Sequence, residues 1–281
     1  MRVLSLFDGM SCGQLALDRA GVTYDEYAAS EIDTHAVRVT QRSYPHTLQL
    51  GGVETVRARR LVRGIDLLIG GSPCQGFSRA GLQLGLADPR SALFFEYLRL
   101  RDEAKPRYFL LENVRMSSAD EAMVTGYMGV EPILINSDTV TAGRRPRLYW
   151  TNIPFDPANL RVAHRHPHEI IDWFDVSENT QSWHDWFERN AEVRLRKQHI
   201  AILNDVDKAI TQTARQVANW NGNIVRVGTG RYRFASPEEC EALQTVPQGY
   251  TKIAPKRERY KMLGNGWTVE VVAAIFRGLR Q

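Results

Sequence analysis

The chain lacks the cysteines from which disulfide frameworks and cysteine zinc sites are built. It has three, Cys12, Cys74 and Cys240, which lie far apart, and it contains no CxxC pair. An odd number of widely spaced cysteines does not form a regular set of bridges, and a zinc site of this kind needs paired thiols. We therefore expect no disulfide, no metal centre and a reducing compartment.

Long apolar runs are also lacking. No uncharged apolar stretch approaches the ~20 residues that a membrane-spanning helix needs. Residues 1–10 contain Arg2 and Asp8 and do not have the pattern of a signal peptide. The sequence therefore predicts no membrane contact.

Neither sign of charge dominates, since 36 Lys and Arg residues face 32 Asp and Glu residues. The net charge of +4 permits a polyanionic partner without requiring one. The excess lies mainly in residues 231–281, which hold a basic run from Lys252 to Lys261. This run either tracks phosphates or, as is more usual, forms an ordinary solvated surface.

The first half of the chain alternates short apolar runs with amphipathic stretches. Residues 3–7 and 24–30 predict strands, and residues 14–20 predict a helix between them. This order is typical of an α/β protein with a doubly wound, mostly parallel sheet, which binds ligands at the carboxyl ends of its strands. Glu31 follows Gly9 by 22 residues, as a ribose-binding carboxylate does. Because GxGxxG is absent, a nucleoside without a pyrophosphate is favoured.

Residues 153–230 interrupt this order. They hold several prolines and most of the histidines and tryptophans. We predict one catalytic domain formed by residues 1–152 and 231–281, with a small domain of residues 153–230 inserted into it. The alternating histidines 164, 166 and 168 predict a polar surface strand rather than a zinc site. The tryptophans 173, 183 and 186 predict a core for the insert.

Two residues at predicted strand ends can carry chemistry. Cys74 lies in the loop after the predicted strand 65–69, and Glu112 follows the apolar run 108–111. A thiol at this edge of a sheet is a candidate nucleophile, although most cysteines are structural. A carboxyl at a buried strand end is a candidate acid, and the ordinary alternative is a solvated loop carboxylate.

Taken together and in order, these signals resemble the motifs of DNA cytosine-C5 methyltransferases. The similar segments are Phe7-Asp8-Gly9, Glu31, Gly71-Ser72-Pro73-Cys74-Gln75-Gly76-Phe77-Ser78, Glu112-Asn113-Val114, Arg145-x-Arg147 and Gly264-Asn265-Gly266. The resemblance extends to short phage and bacterial enzymes and to the catalytic domain of vertebrate de novo methyltransferases. It implies a Rossmann-like, class I S-adenosylmethionine-dependent fold, with the insert as the target-recognition domain. Arg233 resembles part of a further motif, and we assign it a structural role.

The resemblance implies four catalytic residues. Cys74 would add to C6 of a cytosine flipped out of the duplex, which makes C5 able to accept a methyl group. Glu112 would relieve the resulting charge at N3. Arg145 and Arg147 would hold the O2 edge and orient the acid, a task that suits a planar guanidinium. A solvent or phosphate contact is the alternative, more so for Arg145 than for Arg147.

The implied cofactor is S-adenosylmethionine. Its expected binding residues come from the turn after the first strand, the end of the second strand, and later loops: Phe7, Asp8, Gly9, Met10, Ser11, Glu31, Ile32, Val53, Pro73, Leu93, Asn265, Gly266 and Trp267. One departure concerns Gly52, which stands where the family usually has an aspartate for the adenine amino group. That contact is left to a backbone group or to Glu54.

The implied partner is double-stranded DNA, in the cytoplasm of a bacterial or phage-infected cell and in the setting of restriction and modification. A monomer is preferred, and the recognition sequence stays open. Two alternatives are a catalytically inactive homologue that binds DNA or cofactor, and a cytosine-C5 methyltransferase acting on transfer RNA. A nicotinamide oxidoreductase is disfavoured, because GxGxxG is absent and Pro73-Cys74 would be unexplained.

Overall fold

The computed structural model describes residues 1–57, 64–72, 92–160, 165–177, 181–197, 199–217 and 222–280. Pro73, Cys74 and His164 lie outside these ranges. The chain forms two compact units. The first comprises Met1–Ile135, Pro146–Asn159 and Val272–Gln281, and the second comprises Asn136–Arg145 and Leu160–Val271.

The first unit is built on a seven-stranded sheet. Its strands are β1 Arg2–Leu6, β2 Glu26–Ser30, β3 Leu48–Gln49, β4 Leu67–Gly70, β5 Tyr108–Val114, β6 Ile133–Asn136 and β7 Pro146–Thr151. Their order in the sheet is β3-β2-β1-β4-β5-β7-β6. The five strands from β3 to β5 pair in parallel, and β7 pairs antiparallel with β5. The predicted α/β architecture with a doubly wound, mostly parallel sheet is confirmed.

In the described residues, four α-helices lie wholly within this unit: α1 Cys12–Ala20, α2 Thr34–Ser43, α3 Ala92–Ala104 and α4 Ser118–Met128. A buried cluster joins strand residues such as Leu68 and Leu111 to helix residues such as Phe94 and Val124. Strands that are apolar on both faces are expected in a parallel sheet covered by helices. The ends of these strands are therefore the places where the first unit can expose polar chemistry.

The close approach of α1 to the sheet requires a glycine. A Cβ atom on Gly13 would lie 2.6 Å from both Ile69 Cδ1 and the Tyr27 hydroxyl. With no side chain at this position, Tyr27 can pass beneath the first turn of the helix.

The second unit contains a three-stranded sheet of β8 Ile200–Ile202, β9 Gly222–Gly228 and β10 Arg231–Phe234. Among the residues of this unit that the structure describes, three α-helices are found: α5 Gln181–Arg196, α6 Pro237–Leu243 and α7 Lys256–Asn265. A small aromatic cluster around Trp183 and Phe187 packs against Ile224. The last helix, α8 Val269–Phe276, begins in the second unit and continues into the first.

The compact units divide the chain differently from the boundaries predicted from composition. Residues 231–271 pack within the second unit rather than with residues 1–135. Buried polar contacts account for this, because Arg233 donates to the backbone oxygen of Asp172 at 3.0 Å and Glu239 Oε1 accepts from the Asp172 N–H at 2.8 Å. Such contacts between distant segments leave no compositional signal.

Two local predictions for the insert are wrong. His166 and His168 lie at a 3-10 turn over Pro167–Glu169 instead of on a strand, because proline at the first position favours a helical turn. Trp173 is 59% exposed rather than part of the core. The core position is taken by Trp183, which is 1% exposed, as predicted. In the described parts of the chain, no helix is long and apolar enough to cross a bilayer.

Candidate active site

The turn between β1 and α1 has an unusual backbone. Phe7, Gly9 and Ser11 have φ angles of 57°, 60° and 61°. This left-handed region is uncommon for residues that carry a side chain. Such conformations persist where the surroundings enforce them, and they cluster at ligand sites. Strand β1 therefore ends at Leu6, and Phe7 begins the turn.

Asp8 lies beneath this turn rather than projecting from it. Its Oδ1 accepts a hydrogen bond of 2.7 Å from the Tyr27 hydroxyl, and its Oδ2 is buried with no hydrogen-bond partner among the described residues. Burial raises the pKa of Asp8 from 3.8 to about 6. Hydrogen bonds with Ser5, Tyr27 and Ser11 oppose this rise, and the charge of Glu31 adds to it. Sequence reasoning did not find Tyr27, because a tyrosine inside a predicted strand resembles a core residue.

Glu31 joins this turn to the start of α2. Its Oε2 accepts from the Gly9 N–H at 2.7 Å, and its Oε1 accepts from the N–H groups of Ile32 and Asp33 at 2.8 Å each. A carboxylate offers about four acceptor positions, so the three backbone bonds leave capacity for a ligand hydroxyl. The carboxylate is thereby held at the carboxyl end of β2.

The apolar side chain of Ile32 follows Glu31 directly in the chain, and a second carboxylate, that of Glu54, lies near Ile32 at Gly52. Ile32 is 79% exposed. A Cβ atom on Gly52 would lie 3.0 Å from Glu54 Oε2 and 3.7 Å from Ile32 Cγ2. The Glu54 carboxylate thus borders the space that a side chain at position 52 would enter.

Four other residues assigned to the cofactor have their side chains wholly or partly inside the first unit. Met10, Ser11 and Val53 are 1%, 0% and 4% exposed. Leu93 packs against the same buried cluster as Val53 and is half-buried. Met10, Ser11 and Val53 can therefore meet a ligand only through their backbone, or support the residues that do.

Glu112 and Arg147 meet at the ends of two neighbouring strands. Arg147 Nε lies 2.9 Å from Glu112 Oε1 in an ion pair, and the two side chains are only 11% and 10% exposed. In the β5–β7 pairing, Arg147 stands opposite Val114 and therefore diagonal to Glu112. A guanidinium bonded to a carboxyl in a largely dry site fixes the orientation of that carboxyl. Of the two predicted arginines, Arg147 is the one placed to orient the acid.

Asn113 connects the same strand end to the loop that follows β4. Its Nδ2 donates to Ser72 Oγ at 3.1 Å, and both residues are buried. Ser72 is the last described residue before Pro73 and Cys74. The Asn113 contact was not predicted, although the residue belongs to the Glu112-Asn113-Val114 motif.

Arg145 belongs to the second unit, as do Asn265, Gly266 and Trp267, whereas the other described site residues belong to the first. Its guanidinium donates to the backbone oxygens of Gln212, Gly264 and Gly266 at 3.0, 3.0 and 2.8 Å. Asn265 is exposed, Gly266 is half-buried, and Trp267 is 9% exposed. Arg145 is therefore bonded to the segment that carries these three residues.

Two further features lie apart from these groups. Among the described residues, no cluster of three or more His, Cys, Asp or Glu side chains is arranged to hold a metal ion. A cavity of about 710 Å³ opens at the amino ends of β1 and β2 and is lined by residues including Arg2, Tyr24 and Tyr44. It lies at the opposite end of these strands from Glu31, and none of the predicted site residues lines it.

Comparison with known proteins gives a family for most of the chain. The family model of the C-5 cytosine-specific DNA methylases matches residues 1–124 and 156–281. The type II methyltransferase M.NlaX of Neisseria lactamica is 26% identical over 98% of this chain and 94% of its own length. The orphan methyltransferase M.Rho11sI of Bacillus phage rho11s is 41% identical, over 41% of this chain. That alignment spans 23% of the phage protein.

A solved structure gives the fold. The Dnmt2 methyltransferase of S. pombe superposes with a TM-score of 0.75 over 100% of both chains, at 17% identity. At this identity the likeness concerns the architecture alone, which is that of the class I methyltransferases.

Proposed function

The chain belongs to the family of C-5 cytosine-specific DNA methylases, and on this premise we propose that it methylates C5 of cytosine in double-stranded DNA. The methyl donor is S-adenosylmethionine. The residues that act on the base are Cys74, Glu112 and Arg147.

The Glu112–Arg147 pair carries the proposal. A carboxyl that is 10% exposed and bonded to a guanidinium at 2.9 Å is held in one orientation. It stands on the strand whose next residue, Asn113, bonds to Ser72 at 3.1 Å, two residues before Cys74. An oriented acid and a candidate nucleophile are thereby assigned to neighbouring strand ends, which is what attack on a poorly reactive ring requires.

The proposed reaction passes through a covalent bond between Cys74 and the base. The Cys74 thiolate forms a bond to C6 of a flipped cytosine, and electrons move through the ring toward N3. Glu112 donates a hydrogen bond or proton to N3, while Arg147 holds its carboxyl in place. When bound, S-adenosylmethionine would supply the methyl group that C5 accepts, and its methyl–sulfur bond would break to leave S-adenosylhomocysteine. A base then removes the C5 proton, N3 returns its proton to Glu112, and elimination breaks the C6–S bond to release the Cys74 thiolate.

The residues of the first unit fit the proposed methyl donor. The turn after β1 and the end of β2 hold three groups that suit this donor. They are Asp8 Oδ2, which has no partner among the described residues, the unused acceptor positions of Glu31 and the exposed side chain of Ile32. Glu31 would bind ribose hydroxyls, Ile32 would pack on the adenine, and the turn of Phe7–Ser11 would hold the methionine end. When bound, S-adenosylmethionine supplies an electrophilic methyl group on a sulfonium.

The Glu54 carboxylate is proposed to accept a hydrogen bond from the adenine amino group. Its Oε2 borders the empty side-chain space at Gly52, and that space also faces the Ile32 methyl group. An amino group in the plane of a ring packed on Ile32 needs an acceptor at its edge. The Glu54 carboxylate provides one that an aspartate at position 52 would otherwise provide.

Transfer of a labelled methyl group from S-adenosylmethionine to mixed-sequence duplex DNA tests the proposal. We expect incorporation with the wild-type chain and none with Cys74→Ser. Bisulfite sequencing of DNA from expressing cells then gives the target sequence. Equal inactivity of wild type and variant on every DNA would reject the activity.

Two arms of the same experiment address the alternatives. Incorporation into transfer RNA but not DNA would favour the RNA-modifying alternative. Binding of S-adenosylmethionine without covalent trapping on DNA that contains 5-fluorocytosine would favour an inactive binding protein. Trapping that depends on Cys74 supports the proposed mechanism, because the fluorine blocks removal of the group at C5.

A further inference from the structure

Arg145 has the surroundings of a helix cap. It is 6% exposed. Its Nη2 donates to the backbone oxygens of Gly264 and Gly266, and its Nη1 donates to that of Gln212. All these groups lie in the second unit. A guanidinium that serves three internal carbonyls is engaged with the backbone of its own chain.

Two of these carbonyls belong to the end of α7. The last four C=O groups of an α-helix have no N–H partner within the helix, and α7 ends at Asn265. The Met262 oxygen accepts from the Gly266 N–H at 2.7 Å. Arg145 supplies a donor to the Gly264 oxygen, and its positive charge matches the negative end of the helix dipole.

Gln244 supplies the next donor from the end of α6. Its Nε2 donates to the Leu263 oxygen at 2.9 Å, and its Oε1 accepts from the Thr268 hydroxyl at 2.7 Å. Its backbone oxygen accepts from the Val269 N–H at 3.0 Å. Because Gln244 and Thr268 are 2% and 1% exposed, water cannot easily replace these bonds.

The helix end also touches the segment that Arg145 holds through Gln212. A Cβ atom on Gly264 would lie 2.2 Å from the carbonyl carbon of Thr213 and 2.3 Å from the nitrogen of Ala214. No side chain fits there. Segment 264–268 is thus held by direct backbone contact and by the side chains of Arg145 and Gln244.

We infer that Arg145 and Gln244 are positioning residues that set the shape of segment 264–268, and that Arg145 does not contact the cytosine. The inference rests on the proposed function, because this segment carries the residues assigned to the cofactor, Asn265, Gly266 and Trp267. Loss of Arg145 or Gln244 therefore weakens cofactor binding, whereas loss of Arg147 slows methyl transfer.

Comparison of Arg145→Lys with Arg233→Lys tests this separation. Arg233 is a matched control, since it is 3% exposed, lies in the same unit and also donates to backbone oxygens, but of other segments. We expect both variants to lower the thermal midpoint. Only Arg145→Lys should raise the Kd for S-adenosylmethionine and S-adenosylhomocysteine, by about tenfold in calorimetry.

The rate supplies the second readout. At saturating S-adenosylmethionine, kcat of Arg145→Lys and Gln244→Ala should stay within about threefold of wild type. Arg147→Lys should lower kcat and leave the Kd for the cofactor unchanged. A lower kcat with an unchanged cofactor Kd in Arg145→Lys would show that Arg145 contacts the substrate. Equal changes of the cofactor Kd in Arg145→Lys and Arg233→Lys would show a general loss of structure in the second unit. Either result overturns the inference.

Amide hydrogen exchange of the cofactor-free protein separates this inference from the proposed function. Arg145→Lys should speed exchange at Gly266 and Val269, and Arg233→Lys should not. Unchanged exchange at both positions would overturn the inference even in an active enzyme. If the wild type is inactive but the variants exchange these amides as expected, the proposed function is overturned and the inference stands. If Arg145→Lys does not fold, Thr268→Val removes only the hydroxyl bond to Gln244 and should give a smaller effect at the same amides.

Discussion

The two compact units place their charged side chains in different surroundings. In the first, Glu31 and Glu112 stand at the carboxyl ends of strands, where ligands of such sheets bind. In the second, Arg233 and Arg259 bond to groups of their own unit. Position relative to a strand end therefore separates candidate chemistry from internal support better than charge does.

Arg259 illustrates the second case. It lies in the basic run from Lys252 to Lys261, yet it is 8% exposed. It contacts Glu238 at 2.8 Å and Glu241 at 3.1 Å. The Glu241 carboxylate also accepts from the N–H groups of Gly249 and Thr251. An arginine whose sequence neighbours are those of a phosphate-binding run thus supports the fold of its own unit.

The largest expected effect is a loss of methyl transfer when Glu112, in the first unit, is changed. Glu112→Gln keeps the shape and a bond to Arg147 but removes the acid, so methyl transfer should fall by about 10²–10⁴-fold. The measurement is kcat with labelled S-adenosylmethionine. Glu131→Gln, an exposed carboxylate of the same unit, is the control. Activity of Glu112→Gln close to that of Glu131→Gln would remove Glu112 from the mechanism.

The internal pair of the second unit should respond through stability. Arg233→Ala leaves Glu239 as a buried, uncompensated charge and should lower the free energy of unfolding by about 3–5 kcal/mol. The double change of Arg233→Met with Glu239→Leu should cost less than Arg233→Ala, because no charge stays unpaired. Urea unfolding measures both.

An exposed pair on the same sheet provides the control. Arg226 contacts Asp205, and these side chains are 40% and 43% exposed. Arg226→Ala should therefore cost about 0–1 kcal/mol. If Arg233→Ala were no more costly than Arg226→Ala, the Arg233–Glu239 pair would not support the fold.

Asp8 gives a pH-dependent effect. Its pKa is raised from 3.8 to about 6, so the folded state binds more protons than the unfolded state between these values. Protonated Asp8 therefore stabilises the fold fully below the pKa of Asp8 in the unfolded chain, and this contribution is lost as pH rises through its pKa in the folded state. Asp8→Asn should therefore gain stability relative to wild type between pH 4 and pH 7, by at most about 3 kcal/mol.

Chemical unfolding at a series of pH values measures this difference. Asp102→Asn is the control, because the Asp102 side chain is 77% exposed. Parallel stability curves for wild type and Asp8→Asn would show that Asp8 is equally easy to ionise in both states.

The smallest expected effect concerns the adenine contact. Glu54→Ala removes the proposed acceptor and should raise the Kd for S-adenosylmethionine by about fivefold to tenfold. A purine analogue of the cofactor without the amino group should bind wild type and variant equally. Loss of affinity for both compounds alike would assign Glu54 to general support of the loop.

Much of the first unit could be predicted from the sequence because its strands are short apolar runs. The prediction over residues 3–7 is one residue off at each end of β1, Arg2–Leu6. At the later end, Phe7 takes a left-handed conformation that no apolar pattern reveals. The strands predicted over 24–30 and 65–69 are found as β2, Glu26–Ser30, and β4, Leu67–Gly70. Each of these depends on residues that are neighbours in the chain.

The candidate site was predictable where a functional residue directly follows an apolar run, as with Glu31 and Glu112. It was not predictable where the partners are distant backbone atoms. The oxygens that Arg145 binds are 67 to 121 residues away, and a carbonyl has no residue type to recognise. For the same reason the sequence could not reveal that residues 231–271 pack with the second unit.

The two kinds of positive charge around α7 should also differ in their response to salt. Lys256 and Arg257 are exposed, so any contacts they make with phosphates weaken steeply as counterions compete. The guanidinium of Arg145 is shielded by the protein, and mobile ions screen buried contacts much less. Rising ionic strength should therefore weaken DNA affinity while leaving cofactor affinity nearly constant.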